Sequence, residues 1–375
     1  MIHKERILGE FFELVKIKSS TRGERQVADV LKIRLAALGM TVTEDSVGEK
    51  IGGNCGNVIA YTAGTVPEAP TIMLSAHMDC VEPCDGIKPQ LQNGIITSAG
   101  DTILGADDKA GITAILEALR IINEQNIHHG PIQVLFTVAE EGGLNGARNM
   151  DPSLLKADFG YVLDSSGGPG EIITMAPGQN SITAIILGRK AHAGIAPEEG
   201  INAIVVMGKC LAEMKHGRID AETTANIGTI SGGVATNIVP DKVTVQCEAR
   251  SRNMNKLAAQ TDHMKETFEE VARQNGAQAE VLVKKSYDPF VLAEDAPVVR
   301  LAVEAAQSID LIPQIGATGG GSDANFFNNF GVPTAVLGIG MSKVHTAEEY
   351  IKEVDLYNSA EFVIGLIKTA ATMKK

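Results

Sequence analysis

Acidic and histidine side chains stand where several apolar runs of this 375-residue chain come to an end. His77 and Asp79 follow the apolar run 71–74. In an open α/β sheet, ligands bind in the crevice beyond the carboxyl ends of the strands, so these side chains are expected to meet. Two imidazoles and several carboxylates in one place would suit two divalent metal ions. The full set is His77, Asp79, Asp107, Glu140, Glu141, Asp164 and His345.

Such a cluster of carboxylates needs cations for its stability. Two carboxylates about 4 Å apart repel each other by roughly 4 kcal/mol at an effective dielectric constant near 20. Several such pairs would cost more than the ~5–15 kcal/mol by which a domain is usually stable. Bound cations turn this repulsion into attraction. Histidine and carboxylate ligands without cysteine favour zinc, and manganese and cobalt also accept them.

The residue types and their spacing suggest separate roles. His77 and Asp79 are two positions apart, so on a strand both point the same way. His77 could then bind a metal while Asp79 holds its other ring nitrogen. Asp107 could bridge two metals, since a carboxylate has two oxygens to share. Of the adjacent acids Glu140 and Glu141, one could bind metal and the other could take a proton from the attacking water.

Each of these motifs also has an ordinary structural explanation. Asp107 and its neighbour open a predicted helix, where acidic residues are favoured by the helix dipole. Asp164 precedes a Ser-Ser-Gly-Gly stretch and could be a turn residue. His345 could be a loop histidine. The prediction of a metal centre therefore depends on the whole set and not on any one motif.

A second group of polar residues lies between the two parts of this set. His192 follows a predicted strand, and Asn237 and Arg250 come later in the same region. A histidine or amide donor facing the metals could stabilise the oxyanion of a tetrahedral intermediate. An arginine fork suits a substrate carboxylate. Taken singly, each could equally be a surface or turn residue.

Length, charge and cysteine content limit the class of protein. A chain of 375 residues predicts two domains. The net charge of −13, without basic runs, argues against nucleic-acid and membrane partners. No apolar run approaches the roughly 18–20 residues of a membrane span. The five cysteines are odd in number and irregular in spacing, which favours reduced thiols and a cytoplasmic location.

Strand and helix patterns alternate along the chain, which predicts a layered α/β sheet that is largely parallel. Thr21 and Glu24 form a capping-box pattern, and a helical apolar spacing then continues until Gly39. A second helix is predicted from about Lys109 to Gln125. Buried strands are predicted at 58–61, 71–75, 132–138, 161–163 and 334–337.

The predicted secondary-structure pattern changes in the middle of the chain. Strand and helix patterns follow one another there as βαββαβ, the order of a ferredoxin-like unit. The economical arrangement is a catalytic domain split by an inserted lid. The predicted boundaries are 1–177 for the first part of the catalytic domain, 178–286 for the inserted lid and 287–375 for the second part.

The ordered set of motifs resembles the di-zinc peptidase family that contains peptidase T, aminoacylase, glutamate carboxypeptidase and succinyl-diaminopimelate desuccinylase. It looks most like the peptidase T branch. The matching segments run in family order over nearly the whole chain. They are Ser75–Asp79, Gly105–Gly111, Ala139–Gly142, Leu163–Asp164, Ala191–Gly194, Gly232–Pro240 and His345.

The resemblance implies a role for each residue. Asp107 would bridge two zinc ions, with His77 and Asp164 completing one site and Glu141 and His345 the other. Asp79 would support His77, and Glu140 would be the general base. His192, Asn237 and Arg250 would contact substrate, in relatives sometimes across a dimer interface, so a homodimer through the lid is expected.

The expected activity is hydrolysis of peptide bonds in small peptides, as in a tripeptide aminopeptidase. The alternatives to this activity fall into three classes. An N-acyl-amino-acid amidohydrolase or a carboxypeptidase of the same family would use the same centre. A non-catalytic metal-binding relative would lack a ligand or the base, yet every position is filled. A dinucleotide-dependent oxidoreductase needs a G-x-G-x-x-G after the first strand, and none is present there.

Overall fold

The computed structural model describes residues 2–374, and the chain divides into two compact units. The first unit comprises the chain up to Thr174, the segment Leu292–Ala317 and the chain from Ser322 onwards. The second unit comprises Met175–Val291 and Thr318–Gly321. The predicted insert, 178–286, falls inside the second unit, and the short segment at 318–321 joins it from the later part of the sequence.

The first part of the chain alternates helices with strands. Its elements are α1 (Lys4–Val15), α2 (Arg25–Ala37), β1 (Thr41–Glu44), α3 (Val47–Ile51), β2 (Val58–Thr62), β3 (Ile72–His77), β4 (Pro89–Gln92), β5 (Ile95–Ser98), α4 (Ala106–Glu124), β6 (Ile132–Thr137), α5 (Asn145–Asn149), a 3-10 turn at Pro152–Leu154, β7 (Phe159–Ser165) and β8 (Glu171–Ala176).

The inserted part is dominated by long strands and two helices. Its elements are β9 (Gly178–Leu187), β10 (Ala191–His192), a 3-10 turn at Pro197–Glu199, α6 (Ala203–Glu213), β11 (Gly217–Arg218), β12 (Thr223–Gly232), β13 (Ile238–Val239), β14 (Lys242–Ser251), α7 (Met254–Gln274), β15 (Gln278–Tyr287) and β16 (Phe290–Val291).

The last part returns to the first unit. Its elements are α8 (Pro297–Gln307), β17 (Gln314–Ala317), α9 (Ala324–Asn329), β18 (Thr334–Gly338), β19 (Met341–Ser342), β20 (Tyr350–Lys352) and α10 (Glu353–Thr372). None of the helices within residues 2–374 combines the length and apolar character that a membrane span requires.

The main sheet of the first unit has a parallel centre, so the predicted mixed α/β fold with a mainly parallel central sheet is confirmed. Its strands run in the order β1-β2-β6-β3-β7-β18-β8. The pairs β6–β3, β3–β7 and β7–β18 are parallel, whereas the outer pairs are antiparallel. Strands β3 and β6 are buried along their whole length, as expected for parallel strands covered on both faces.

Helix α4 packs against β3 and β7 and against the helices α1 and α10. Its apolar stripe therefore lies in the core. The four central strands, which all point the same way, deliver their carboxyl ends to one edge, and α4 begins at that edge with Ala106 and Asp107. This arrangement positions the candidate site.

The second unit has its own antiparallel sheet, in the order β11-β12-β14-β9-β15. Its four long strands and two helices follow the predicted βαββαβ order. Strand β9 alternates buried and partly exposed residues, because only one face of the sheet is covered by α6 and α7. The core between them includes Ile182, Ile186, Met264 and Phe268.

The capping-box prediction at Thr21 and Glu24 is wrong. Helix α2 begins at Arg25, and the Glu24 side chain makes no capping hydrogen bond to it. The Thr21 hydroxyl donates to Asp79 Oδ2 at 2.8 Å instead. The Thr21 hydroxyl thus bonds to an acceptor that is distant in sequence, and it does not cap the helix as the local pattern predicts.

Candidate metal centre

Four neighbouring strands bring the predicted residues to one edge of the sheet. His77 is the last residue of β3, and Asp164 lies near the end of β7. Glu140 and Glu141 follow the end of β6, and His345 lies in the loop that follows β19, beyond β18. Because the carboxyl ends of parallel strands share an edge, residues far apart in sequence converge here.

Asp107 lies between the two histidines. Its Oδ1 is 2.9 Å from His77 Nε2, and its Oδ2 is 3.3 Å from His345 Nε2. On the first side, Asp164 Oδ1 is 3.9 Å from His77 Nε2. On the second side, Glu141 Oε1 is 2.9 Å from His345 Nε2. Two groups of three potential ligands therefore share Asp107, one oxygen facing each group.

The donor set and its spacing fit a pair of metal ions. Ligand atoms around a tetrahedral zinc, with bonds of about 2.0–2.1 Å, lie roughly 3.3 Å apart. The nitrogen–oxygen distances here span 2.9–3.9 Å. A third combination, His77 with Glu140 and Glu141, also brings three ligand atoms within 4.8 Å of one another. The geometry alone therefore leaves both glutamates as potential ligands.

Burial and mutual repulsion dominate the electrostatics of the cluster. Burial raises the pKa of Asp164 well above its ordinary value, and the charge of Asp107 adds to this. Burial also raises the pKa of Glu140, with the charge of Asp164 as the next cause. Contacts with Asp107 and Glu141 raise the pKa of His345 to about 10. The carboxylates thus favour added positive charge, as protons or as metal cations.

The sequence agrees with a known family over most of its length. The model of peptidase family M20/M25/M40 matches residues 73–369. The chain belongs to this family. It is therefore a peptidase-family hydrolase, and the resemblance seen in the motifs is confirmed.

Several relatives of this M20 peptidase match it from end to end. A Bacillus subtilis protein, uncharacterized protein YqjE, is 44% identical over 371 residues, which cover 99% of this chain and 100% of that protein. The structure of aminopeptidase PepT from Bacillus cereus is 44% identical with a TM-score of 0.92, covering 99% and 100% of the two chains. A tripeptidase from Staphylococcus aureus is 42% identical with a TM-score of 0.96, covering 100% of both.

In this M20 peptidase the Asp79 carboxylate holds the turn that carries the two glutamates. It accepts the N–H groups of Glu140 at 2.9 Å and of Glu141 at 3.3 Å. His77 Nδ1 lies 3.0 Å from the backbone oxygen of Asp79 and 3.5 Å from its carboxylate. Asp79 therefore approaches His77 with both its backbone oxygen and its carboxylate, and the backbone oxygen is the nearer of the two.

Glu349 holds the segment that leads into Asp107. It is 1% exposed, and its carboxylate accepts the N–H groups of Leu104 at 2.8 Å, Gly105 at 2.7 Å and Asp107 at 3.0 Å. Three charge-assisted hydrogen bonds to one buried carboxylate fix this backbone strongly. The position of Asp107 between His77 and His345 thus depends on a residue four positions beyond His345.

We expect Glu349→Ala to lower the free energy of unfolding by about 3–4 kcal/mol, because three buried N–H groups lose their acceptor. Denaturant unfolding of the metal-free protein measures this directly. The adjacent Glu348 is exposed and pairs with the exposed Lys343, so Glu348→Ala is the matched control and should leave the midpoint unchanged. Equal stabilities of the two variants would contradict the role of Glu349.

The three predicted substrate residues all lie in the second unit. His192 and Asn237 are exposed neighbours, since β10 pairs with β13 and the Ala193 N–H donates to the Asn237 carbonyl oxygen at 3.0 Å. Arg250 lies on a different strand, β14, and forms an ion pair with Glu248 at 2.8 Å. The structure therefore brings two of the three together within this unit and pairs the third locally.

Two further acidic residues at the centre were given no role from the sequence. Asp108 is fully buried and accepts the N–H of His77 at 3.1 Å and of Gly111 at 3.2 Å. Asp323 is buried and accepts the Thr137 hydroxyl. Both contact backbone or hydroxyl groups of the strands that carry the ligands. A second acid beside Asp107 was visible in the sequence, but nothing distinguished Asp323 from an ordinary turn residue.

Proposed function

We propose that this chain is a metal-dependent aminopeptidase that hydrolyses small peptides, most specifically tripeptides. The single observation that carries the proposal is the position of Asp107, with one oxygen toward His77 and the other toward His345. A carboxylate shared in this way suits two adjacent cations. The relatives described as aminopeptidase PepT and tripeptidase support the choice of substrate, since each matches the chain over its full length.

The proposed ligands of the first metal are His77, Asp107 and Asp164, and those of the second are Asp107, Glu141 and His345. We propose zinc, because the set combines imidazole with carboxylate and contains no thiolate. Manganese and cobalt also accept such ligands. When bound, the two metals would lower the pKa of a shared water and polarise the substrate carbonyl.

Glu140 is the proposed general base. It would take a proton from the attacking water and then pass that proton to the leaving amine. Its position supports this role, because the Asp79 carboxylate holds its N–H beside the ligand cluster. The neighbouring Glu141 contacts His345 and is thus better placed to bind metal.

His192, Asn237 and Arg250 are proposed to contact the substrate. The imidazole and the amide are exposed and adjacent, which suits donors to a developing oxyanion. The Arg250 guanidinium suits a substrate carboxylate, although Glu248 already occupies part of its donor face. A substrate carboxylate would therefore have to share Arg250 with Glu248.

A panel of small substrates tests the proposed activity. We expect the zinc-loaded protein to release the first residue of tripeptides with a free amino group, as followed by mass spectrometry. The same tripeptides with an acetylated amino group should resist, as should N-acyl amino acids. Cleavage of N-acyl amino acids alone would favour the amidohydrolase alternative, and release of the last residue would favour a carboxypeptidase. Protein carrying Glu140→Gln, purified in parallel, controls for contaminating peptidases.

Two further sequence predictions stay predictions. All five cysteines are free and buried, which supports a reducing compartment such as the cytoplasm. The homodimer through the inserted unit is a separate proposal, and sedimentation of the metal-loaded protein would test it.

A further inference from the structure

Four consecutive backbone N–H groups, those of residues 138–141, donate to side chains from distant segments. The first donates to Asn57 Oδ1 at 3.0 Å and the second to Glu24 Oε1 at 3.0 Å. The last two donate to the carboxylate oxygens of Asp79, at 2.9 and 3.3 Å. Side chains, and not a neighbouring strand, thus fix the backbone that carries the proposed base and one proposed metal ligand.

Of these three acceptors, Glu24 is the one whose burial as a charged group costs the most free energy. It is fully buried, and burial raises its pKa to about 7, with the charge of Asp79 as a further cause. Its Oε1 also accepts the N–H of Arg22 at 2.8 Å, whereas Oε2 has no hydrogen-bond partner within residues 2–374. A buried carboxylate with an unpartnered oxygen needs a specific reason to be present.

Capping of helix α2 is not that reason. Glu24 precedes the helix, but its side chain makes no hydrogen bond to the amides of the first turn. Its longest-range contact is the one to Ala139, which is 115 positions further along the chain. The Glu24 carboxylate therefore holds the backbone of the turn that follows β6.

Ala139 is the residue that most needs such support. Its φ of +51° lies in the left-handed region, which residues other than glycine seldom adopt. Such a conformation persists only where the surroundings hold it. Because Ala139 directly precedes Glu140, its backbone conformation sets the direction in which the Glu140 side chain leaves the turn.

We propose that Glu24 is a positioning residue, whose Oε1 fixes the backbone of Ala139 and thereby the orientation of the general base Glu140. This inference rests on the proposed role of Glu140. Its requirement is geometric: one oxygen must reach two amides at once. A side chain of the same length with a carbonyl oxygen should meet this requirement, and a shorter carboxylate should not.

Two variants of Glu24 distinguish the effect of side-chain length from the effect of charge. Glu24→Gln keeps the reach and removes the charge, whereas Glu24→Asp keeps the charge and withdraws the oxygen by about 1.5 Å. We expect kcat for a tripeptide to stay within about threefold in Glu24→Gln. In Glu24→Asp it should fall by about 10- to 100-fold, since small misplacements of a catalytic group have effects of this size. KM and the content of two metals per chain should not change in either variant.

Hydrogen–deuterium exchange provides a readout that does not depend on catalysis. Peptides covering residues 138–141 should exchange faster in Glu24→Asp and at the wild-type rate in Glu24→Gln. Glu10 offers a matched control, since it is another buried glutamate, paired with Arg34 and Arg120. Glu10→Ala should lower stability while leaving kcat and the exchange of 138–141 unchanged.

Full activity in Glu24→Asp would overturn the inference, as would equal impairment of Glu24→Gln and Glu24→Asp. A change in KM alone would also overturn it, because that would indicate a role in binding. If the wild-type protein hydrolyses no peptide, the proposed function fails. The exchange rates of residues 138–141 then still decide whether Glu24 holds this turn.

Discussion

Replacing Glu140 with glutamine is expected to lower kcat by about three orders of magnitude while leaving two metals bound per chain. The glutamine amide cannot take a proton from the attacking water, and general base catalysis typically contributes about 10²–10⁴-fold. The backbone N–H of residue 140 still donates to Asp79, so the turn should keep its conformation. Turnover of a tripeptide and metal content by mass spectrometry measure the two quantities separately.

The matched control is the same substitution one residue later. Glu141→Gln replaces a proposed ligand, so it should lower both metal content and turnover. The comparison is needed because His77, Glu140 and Glu141 also form a group of potential ligands. If Glu140→Gln lost a metal and Glu141→Gln kept both, the two roles would have to be exchanged. Near-normal activity of Glu140→Gln would reject its role as base.

The central elements of the fold could be predicted because their sequence patterns are strong. The apolar runs of β3 and β6 are buried throughout, and α4 keeps one apolar stripe over five turns. In the inserted unit, strands β9 and β14 alternate between more and less buried residues, and helices α6 and α7 each bury one face. Such patterns determine element type with little influence from the rest of the chain.

The long-range pairing of the short strands could not be predicted. Strands β4 and β5 span four residues each and are partly exposed, and they form a small sheet with β20 and β19. Strand β4 pairs with the adjacent β5, whereas β5 also pairs with β20, more than 250 positions away in sequence, with Tyr350 opposite Thr97. Local composition contains no signal for such pairing.

The residues of the candidate site also fall into a group that could be predicted and a group that could not. The potential metal ligands, such as His77 and Asp107, could be found because their chemical types are unusual at the ends of apolar strands. The residues that hold the backbone in place, such as Glu24 and Glu349, could not. Any glutamate can accept an amide hydrogen, and which amide it meets depends on tertiary contacts between segments more than 100 residues apart.

The charge of the centre explains why Asp107 should matter most among the proposed ligands. Contacts with His345 and His77 outweigh burial and hold the pKa of Asp107 well below its ordinary range. By contrast, burial and the charge of Asp107 raise the pKa of Asp164. Asp107 therefore stays ionised before any metal binds, and its two oxygens face the two proposed metal positions.

We expect Asp107→Asn to weaken the binding of both metals by at least about 100-fold, or roughly 2.8 kcal/mol each. The asparagine side chain keeps one oxygen but loses the charge, and its NH₂ group would face one of the two positions. Titration of the chelator-stripped protein with zinc against a chromophoric competitor measures both affinities. Hydrolysis of tripeptides should be lost at metal concentrations that saturate the wild-type protein.

Two single-site variants make this result specific. His345→Ala should weaken one metal and spare the other, and Asp164→Asn should do the same on the opposite side of Asp107. The stability gained from added zinc, measured as a rise in Tm, should follow the same order, because a ligand stabilises the fold in proportion to RT ln(1 + [L]/Kd). If Asp107→Asn affected only one equivalent of zinc, Asp107 would belong to one site alone. The pair of metals would then have to be held apart, and the geometry that places one oxygen of Asp107 toward each histidine would need another explanation.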